Sequence, residues 1–316
     1  MKYIDVEKES MPENVSFVAT VGFFDGVHIG HRYLVEQLKR EAGRCRLPSA
    51  VITFPVHPRK VLQKDYQPAL LSGFEEKVAL LATTGIDYCV VLPFTPALSE
   101  LSADVFMRRI LKERLHVDTL LVGYDHRFGY QRSDGFPQYE QYGRTMGIRV
   151  LQAEELLWNV NFHVSSSQIR RLLKEGRVEE ANHLLSYRYT LSGKIVEGYR
   201  VGRTIGFPTA NLQSWERYKV IPRLGVYAVL VSIDHTVYKG MLYIGTRPTL
   251  RTDEKISVEV NLFDFEGDLY DRTLTVTFVD YIRSDKKFDN IDQLVRQIYA
   301  DKKAVIQRLE RIESTV

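Results

Sequence analysis

Residues 20–38, TVGFFDGVHIGHRYLVEQL, read as a strand end, a tight glycine-bearing turn and a helix. The preceding SFVAT is apolar and β-branched enough for a buried strand. From Ile29 onward, apolar side chains at Tyr33, Leu34 and Leu38 follow helical spacing. A strand–turn–helix junction of this kind is where an open α/β sheet binds ligands. His28 and His31 are three residues apart at the helix start, so both imidazoles share one face. Unpaired N–H groups and the helix dipole favour phosphate there. Gly30 leaves the backbone open to a bulky nucleotide, and the imidazoles can donate to a triphosphate as charge develops.

The same alternation continues through the first half of the chain. Strands are expected at 16–21, 49–54, 88–92, 119–123 and 148–152, each of the first four followed by a helix and the last by one or two more. Ser72 and Glu75 read as a capping box before a helix over EEKVALLATTG. Strands separated by helices imply a parallel, doubly wound, Rossmann-like sheet. TFPVHPRK (53–60) ends the second strand at its prolines, which fix a rigid loop, with His57 either solvated or, together with Phe54, facing the crevice. GYDHRFGYQRSDG (123–135) suits a loop over the carboxyl edge of the sheet. VSSSQIRRLLKEG (164–176) is a second helix start, where Ser166 and Arg170 share a face and arginine suits phosphate oxygens.

From Tyr187 the pattern changes to strand after strand: YTLSGKIV, IGFPTANL, GVYAVLVSI, TVYKGMLYIG, KISVEVNLFDF and LYDRTLTVTFVDYI. That spacing predicts a C-terminal antiparallel β-barrel. DNIDQLVRQIYADKKAVIQRLERI follows it as a terminal helix. Two domains result, 1–186 and 187–316. Gly198, Gly202 and Gly206 with Arg200 and Arg203 form a loop able to wrap phosphates. It is not a P-loop, because it lacks G-K-[ST] and a following helix. Beside Pro208 the backbone is extended, so Thr209 and Asn211 share a face and offer hard oxygen ligands suited to Mg²⁺. In SVEVNLFDF, Val258, Val260 and Leu262 take the core face and Ser257, Glu259 and Asn261 the other.

GFFDGVHIGH resembles the H-x-G-H nucleotidyltransferases, and its F-F-D-G narrows the resemblance to bacterial bifunctional riboflavin kinase/FMN adenylyltransferases (FAD synthetases). The resemblance spans essentially the whole chain. It implies that Gly22, Phe23, Asp25 and Gly30 bind ATP with His28 and His31, and that Asp125 and Ser166 belong to the same nucleotide site, with Arg170 as a catalytic phosphate clamp. It also implies that Phe54, His57 and Phe128 line a flavin pocket. His126 stands where the family has Phe, and Ser167 where it has Thr. The second-half loop resembles the kinase signature ending in G-x-P-T-A-N, which implies ATP binding by Gly198, Arg200, Gly202, Arg203, Gly206 and Pro208. Glu259 matches the family's general base. Asn261 takes the place of its histidine beside the flavin, Tyr243 of an asparagine and Asp285 of a glutamate.

The implied activities are ATP-dependent phosphorylation of riboflavin to FMN and adenylylation of FMN to FAD, with ATP, riboflavin and FMN as partners and Mg²⁺ as cofactor. A monofunctional adenylyltransferase with a flavin-binding second domain, or a flavin-responsive regulator, are the alternatives at this level. The chain has 316 residues, 44% hydrophobic content and a net charge of +3. The charge is too small to imply nucleic acid or an anionic membrane as the main partner. No apolar run is long enough to span a bilayer, and MKYIDVEKES lacks the apolar centre of a signal peptide, so a cytoplasmic location is expected. Cys45 and Cys89 form neither a metal-site spacing nor a disulfide framework.

Overall fold

The computed structural model describes residues 1–63, 65–156, 164–197, 206–214, 216–247 and 255–313. The chain divides into two compact units, Met1–Ser166 and Ser167–Val316.

The first unit is built on a six-stranded parallel sheet. Its strands are β1 (Lys2–Asp5), β2 (Phe17–Val21), β3 (Ser49–Thr53), β4 (Tyr88–Val91), β5 (Val117–Val122) and β6 (Arg149–Gln152), in the order β1-β4-β3-β2-β5-β6. β2 and β3 are buried at every position, as parallel strands covered on both faces must be. The chain winds outward from β2 through β3 and β4, then returns to place β5 on the other side of β2. The topological switch point therefore lies between β2 and β5, and their carboxyl ends carry the two loops singled out in the sequence.

Three local features depart from the expectations. β1 is an additional edge strand pairing with β4, and only its Ile4 is buried, which explains its weak sequence signal. The helix after β3, α3 (Phe74–Ala82), starts one residue later than a Ser72 cap would place it. Glu76 accepts from the Gly73 N–H (3.3 Å), so the Ser72–Glu75 capping box is replaced by Gly73 and Glu76. Pro58 does not hold a loop. It opens a short helix, α2 (Pro58–Leu62), whose cap is His57, with Nδ1 accepting from the Arg59 N–H (3.2 Å).

The second unit is a closed six-stranded antiparallel barrel, ordered β10-β11-β8-β7-β12-β9. Its strands are β7 (Thr190–Val196), β8 (Ala210–Ser214), β9 (Gly225–Ile233), β10 (Thr236–Arg247), β11 (Lys255–Leu262) and β12 (Thr273–Ser284). Val305 and Leu309 of the terminal helix Ile291–Glu313 pack with Ala228, Phe263 and Val279. Arg283 on β12 grips Asp301 of that helix through two nitrogens at 2.9 and 2.7 Å.

The helices Ser166–Glu175 and Val178–Leu185 precede the border read from sequence at 186/187, but from Ser167 onward they group with the barrel. The reason is visible in the hydrogen bonds. Asn182 donates to the Phe278 carbonyl (3.0 Å) and accepts from the Tyr189 N–H (2.7 Å), and the Arg223 N–H donates to the Leu173 carbonyl (3.0 Å).

Candidate functional sites

In the first unit, helix α1 (Ile29–Cys45) begins directly after the turn that leaves β2. The turn is conformationally costly. Phe24 (φ 56°), Gly26 (φ 76°) and Val27 (φ 39°) all have positive φ, and such non-glycine residues persist only when their surroundings hold them. The Gly26 N–H donates to Ser72 Oγ (3.0 Å). Asp25 is buried, and its Oδ1 accepts from the N–H groups of Leu71 (2.9 Å) and Ser72 (3.3 Å). A carboxylate used in this way shapes the turn. Ser166, the last residue of the first unit, donates to the Asp25 carbonyl (3.0 Å).

His28 is the N-cap of α1, with Nδ1 accepting from the His31 backbone N–H at 3.4 Å. Because Nδ1 accepts, a neutral His28 carries its proton on Nε2 and can donate outward. The His28 and His31 rings stack, with centroids 3.7 Å apart and planes at 17°. Burial drives the His31 pKa well below its ordinary value, reinforced by neighbouring His28, His126 and Lys77. His31 is therefore neutral at pH 7, and its Nδ1 is buried with no hydrogen-bond partner among the described residues.

Gly22 and Gly30 of this motif leave room for neighbouring rings. A Cβ on Gly22 would lie 2.8 Å from the Phe24 ring, and one on Gly30 would lie 3.2 Å from the His28 ring. Phe23 packs edge-on to His57 (4.8 Å). Phe54 is a buried core residue packed edge-on against Phe94 (5.4 Å). Beyond β5, Asp125 is exposed, whereas Phe128 stacks on Tyr139 at 4.1 Å, with its N–H donating to the Tyr139 hydroxyl. Arg170 lies on the helix Ser166–Glu175 with Nη1 at 3.4 Å from Ser167 Oγ, and it groups with the second unit.

The barrel holds a cavity of about 320 Å³. Phe207, Phe288 and Leu294 give it an apolar wall, while Thr209, Glu259 and Asn261 give it a polar one. Glu259 faces Tyr243 directly across the β10–β11 ladder and Asn211 across β11–β8. Directly opposed residues share a face, so Tyr243, Glu259 and Asn211 form one row. Thr209 donates to Glu259 Oε2 (3.2 Å), which leaves the lone pairs of the hydroxyl available. Asn261 is buried, and its amide donates to the Pro208 carbonyl (2.7 Å), bracing the segment that carries Thr209. Gly206 has φ +80° and open space where a Cβ would stand. Gly198, Arg200, Gly202 and Arg203 lie outside the described residues.

Sequence reasoning singled out Tyr243 and Asp285 separately, but they meet: the phenol donates to Asp285 Oδ1 at 2.9 Å. Gly245 makes this possible, since a Cβ there would fall 2.4 Å from the Tyr243 hydroxyl. Burial, with the Asp285 bond second, pushes the phenol pKa up to about 12, so it stays a donor. Lys77 and Ser72, which hold the first-unit turn, were not recognised as site residues. Ser72 was read only as a helix cap, and Lys77 only as the third residue of the helix EEKVALLATTG.

Residues 10–168 match the family model described as FAD synthetase, and residues 185–309 match the one described as riboflavin kinase. The helical pair lies largely between the two matches. A protein from Listeria monocytogenes named bifunctional riboflavin kinase/FMN adenylyltransferase is 36% identical over 291 residues, covering 91% of each chain. One of the same name from Pseudomonas fluorescens is 37% identical over 290 residues, covering 92% of each. A crystal structure described as a macrolide-efflux protein from Streptococcus pneumoniae superposes with a TM-score of 0.84 at 30% identity, covering 96% of this chain and 98% of that one. Among the described residues, no helix is long and apolar enough to cross a membrane.

Proposed function

This chain belongs to the family of bifunctional riboflavin kinase/FMN adenylyltransferases, and we propose from that premise how its residues divide two reactions. It phosphorylates riboflavin with ATP to give FMN, and it transfers AMP from ATP to FMN to give FAD and pyrophosphate.

In the kinase reaction Glu259 is the general base. It takes the proton of the ribityl hydroxyl as that oxygen attacks the γ-phosphorus, the bond to the β–γ bridging oxygen breaks, and ADP leaves. The Thr209 hydroxyl fixes the carboxylate by donating to it. The oxygen donors of Thr209 and Asn211 suit Mg²⁺, and no group of three or more His, Cys, Asp or Glu side chains able to hold a metal occurs among the described residues. A small hard cation held by one or two protein ligands and substrate phosphates matches that donor set. When bound, Mg²⁺ supplies neutralisation of phosphate charge. The loop bearing Gly198, Arg200, Gly202, Arg203, Gly206 and Pro208 is assigned to the ATP phosphates. The apolar wall of the cavity suits the flat flavin ring, with Asn261 at its polar border.

In the adenylyl transfer a phosphate oxygen of FMN attacks the α-phosphorus, and the bond to the α–β bridging oxygen breaks. His28 and His31 donate N–H bonds to phosphate oxygens as charge builds up on them. Gly22, Phe23, Asp25 and Gly30 shape the turn that sets the imidazoles, Ser166 is assigned to the phosphate contacts, and Arg170 keeps the phosphate-clamp role that its motif implies. Asp125 is assigned to the nucleoside, and Phe54, His57 and Phe128 to the flavin side. The observation that carries this reading is the stacked histidine pair on a helix N-terminus, with His31 Nδ1 buried and lacking a partner among the described residues.

The test is a time course of purified protein with riboflavin and MgATP, resolving FMN from FAD. FMN should rise first and FAD should follow, and chelating the cation should stop the phosphorylation. Absence of FMN formation contradicts the kinase assignment; FMN that never becomes FAD contradicts the adenylyl-transfer assignment.

A further inference from the structure

We infer that Lys77 is a positioning residue of the adenylyl-transfer centre, one buried ammonium that ties the nucleotide-side turn after β2 to the flavin-side end of β3. The inference rests on the assignment of those two segments under Proposed function.

Lys77 occupies a core position. On α3 it is four residues before Leu81, and the two are buried on the same helix face. Its relative exposure is 2%, a burial that lysine almost never reaches without partners. The charge costs free energy there unless hydrogen bonds replace its water. Nζ donates to the carbonyls of Phe23 (3.0 Å) and Phe54 (2.7 Å) and stands 3.9 Å from the centre of the Phe23 ring. Phe23 and Phe54 each lie just beyond the carboxyl end of a neighbouring strand, and Val21 and Ile52 are register partners in that pair. The Phe23 carbonyl also accepts from Thr53 Oγ1 (3.2 Å), which closes the junction from the β3 side.

The turn following Phe23 has the positive φ values already described and leads directly to His28 and His31. Residues 71–77 hold it at successive points: Leu71 and Ser72 through Asp25, Ser72 through Gly26, and Lys77 through Phe23. A leucine or methionine at position 77 would carry no buried charge and would release the point at Phe23. The lysine therefore exchanges stability for the placement of the turn. A misplacement of about 1 Å in a reacting constellation costs on the order of 10²-fold in rate.

Lys77→Met keeps the length and lacks the donors; Lys77→Gln keeps an N–H₂ group without the charge. Both are assayed for FMN adenylylation, riboflavin phosphorylation and thermal unfolding, beside His31→Ala. The expected result is a kcat for adenylylation reduced about 10- to 100-fold in the methionine variant, partial recovery in the glutamine variant, unchanged phosphorylation, and no loss of melting temperature. Wild-type adenylylation in Lys77→Met overturns the inference. So does a loss of folding in both variants, or a lowered melting temperature with normal kcat, because each makes Lys77 a stability residue. If His31→Ala itself retains full adenylylation, it is the reading of the centre that fails.

Discussion

Tyr243 donates its phenolic hydrogen bond to Asp285 at 2.9 Å while standing directly across the strand pair from Glu259. Two positions singled out separately in the sequence thus form one contact beside the assigned base. Asp285 Oδ1 also accepts from the Lys286 N–H (2.9 Å), so one carboxylate oxygen takes both bonds.

Tyr243→Phe and Asp285→Ala should therefore behave as one perturbation. A hydrogen bond to a charged group contributes about 1.5–3 kcal/mol, less where water reaches it. The double variant should be destabilised by clearly less than the sum of the singles, with a coupling of about 1 kcal/mol. Denaturant unfolding of the four proteins measures this. Strict additivity would mean that the contact carries no energy.

The melting of the first unit should fall with acid. Burial pushes the His126 pKa down to about 4, with Arg132 adding to the effect and Asp125 opposing it, and His31 shifts in the same direction. The unfolded chain takes up these protons near pH 6.5, before the folded one does. The stability contribution is therefore complete above pH 6.5 and is lost as the pH falls toward 4. For the His126 proton the loss is at most about 1.4 kcal/mol per pH unit. His126→Phe should flatten this part of the profile, and an unchanged slope between pH 6.5 and 4 would contradict it.

A fragment spanning 167–316 should fold and melt above one spanning 187–316. The shorter piece loses Asn182, which bridges Tyr189 and Phe278, and the carbonyl that receives the Arg223 N–H. Equal melting temperatures would place the helical pair outside the cooperative unit.

Much of this was legible in the residues. GFFDGVHIGH gave the junction because a glycine turn between a β-branched run and a helical period has few other solutions. The barrel followed from the run of strands beyond Tyr187, and the facing of Glu259 from alternation along β11. β1 escaped because an edge strand with one buried residue has almost no period. The Ser72 cap was misplaced by one residue because Gly73 can cap without a side chain, leaving Ser72 for the turn. Lys77 escaped for a different reason. Its partners are backbone carbonyls 23 and 54 residues away, which no local pattern encodes. The Tyr243–Asp285 contact is likewise 42 residues long in sequence and exists only once the barrel closes.

The central claim is that two independent centres act in turn on one chain, and mixing two inactivated proteins tests it most directly. His31→Ala alone should convert riboflavin to FMN and stop there, because removing one donor to developing charge costs about 10²–10³ in rate. Glu259→Gln alone should make FAD from supplied FMN but form almost none from riboflavin. Together with riboflavin and MgATP, the two variants should restore FAD synthesis through FMN released by the first and captured by the second. FAD made from riboflavin at the wild-type rate by either variant alone, or a mixture that accumulates FMN without FAD, would contradict the account.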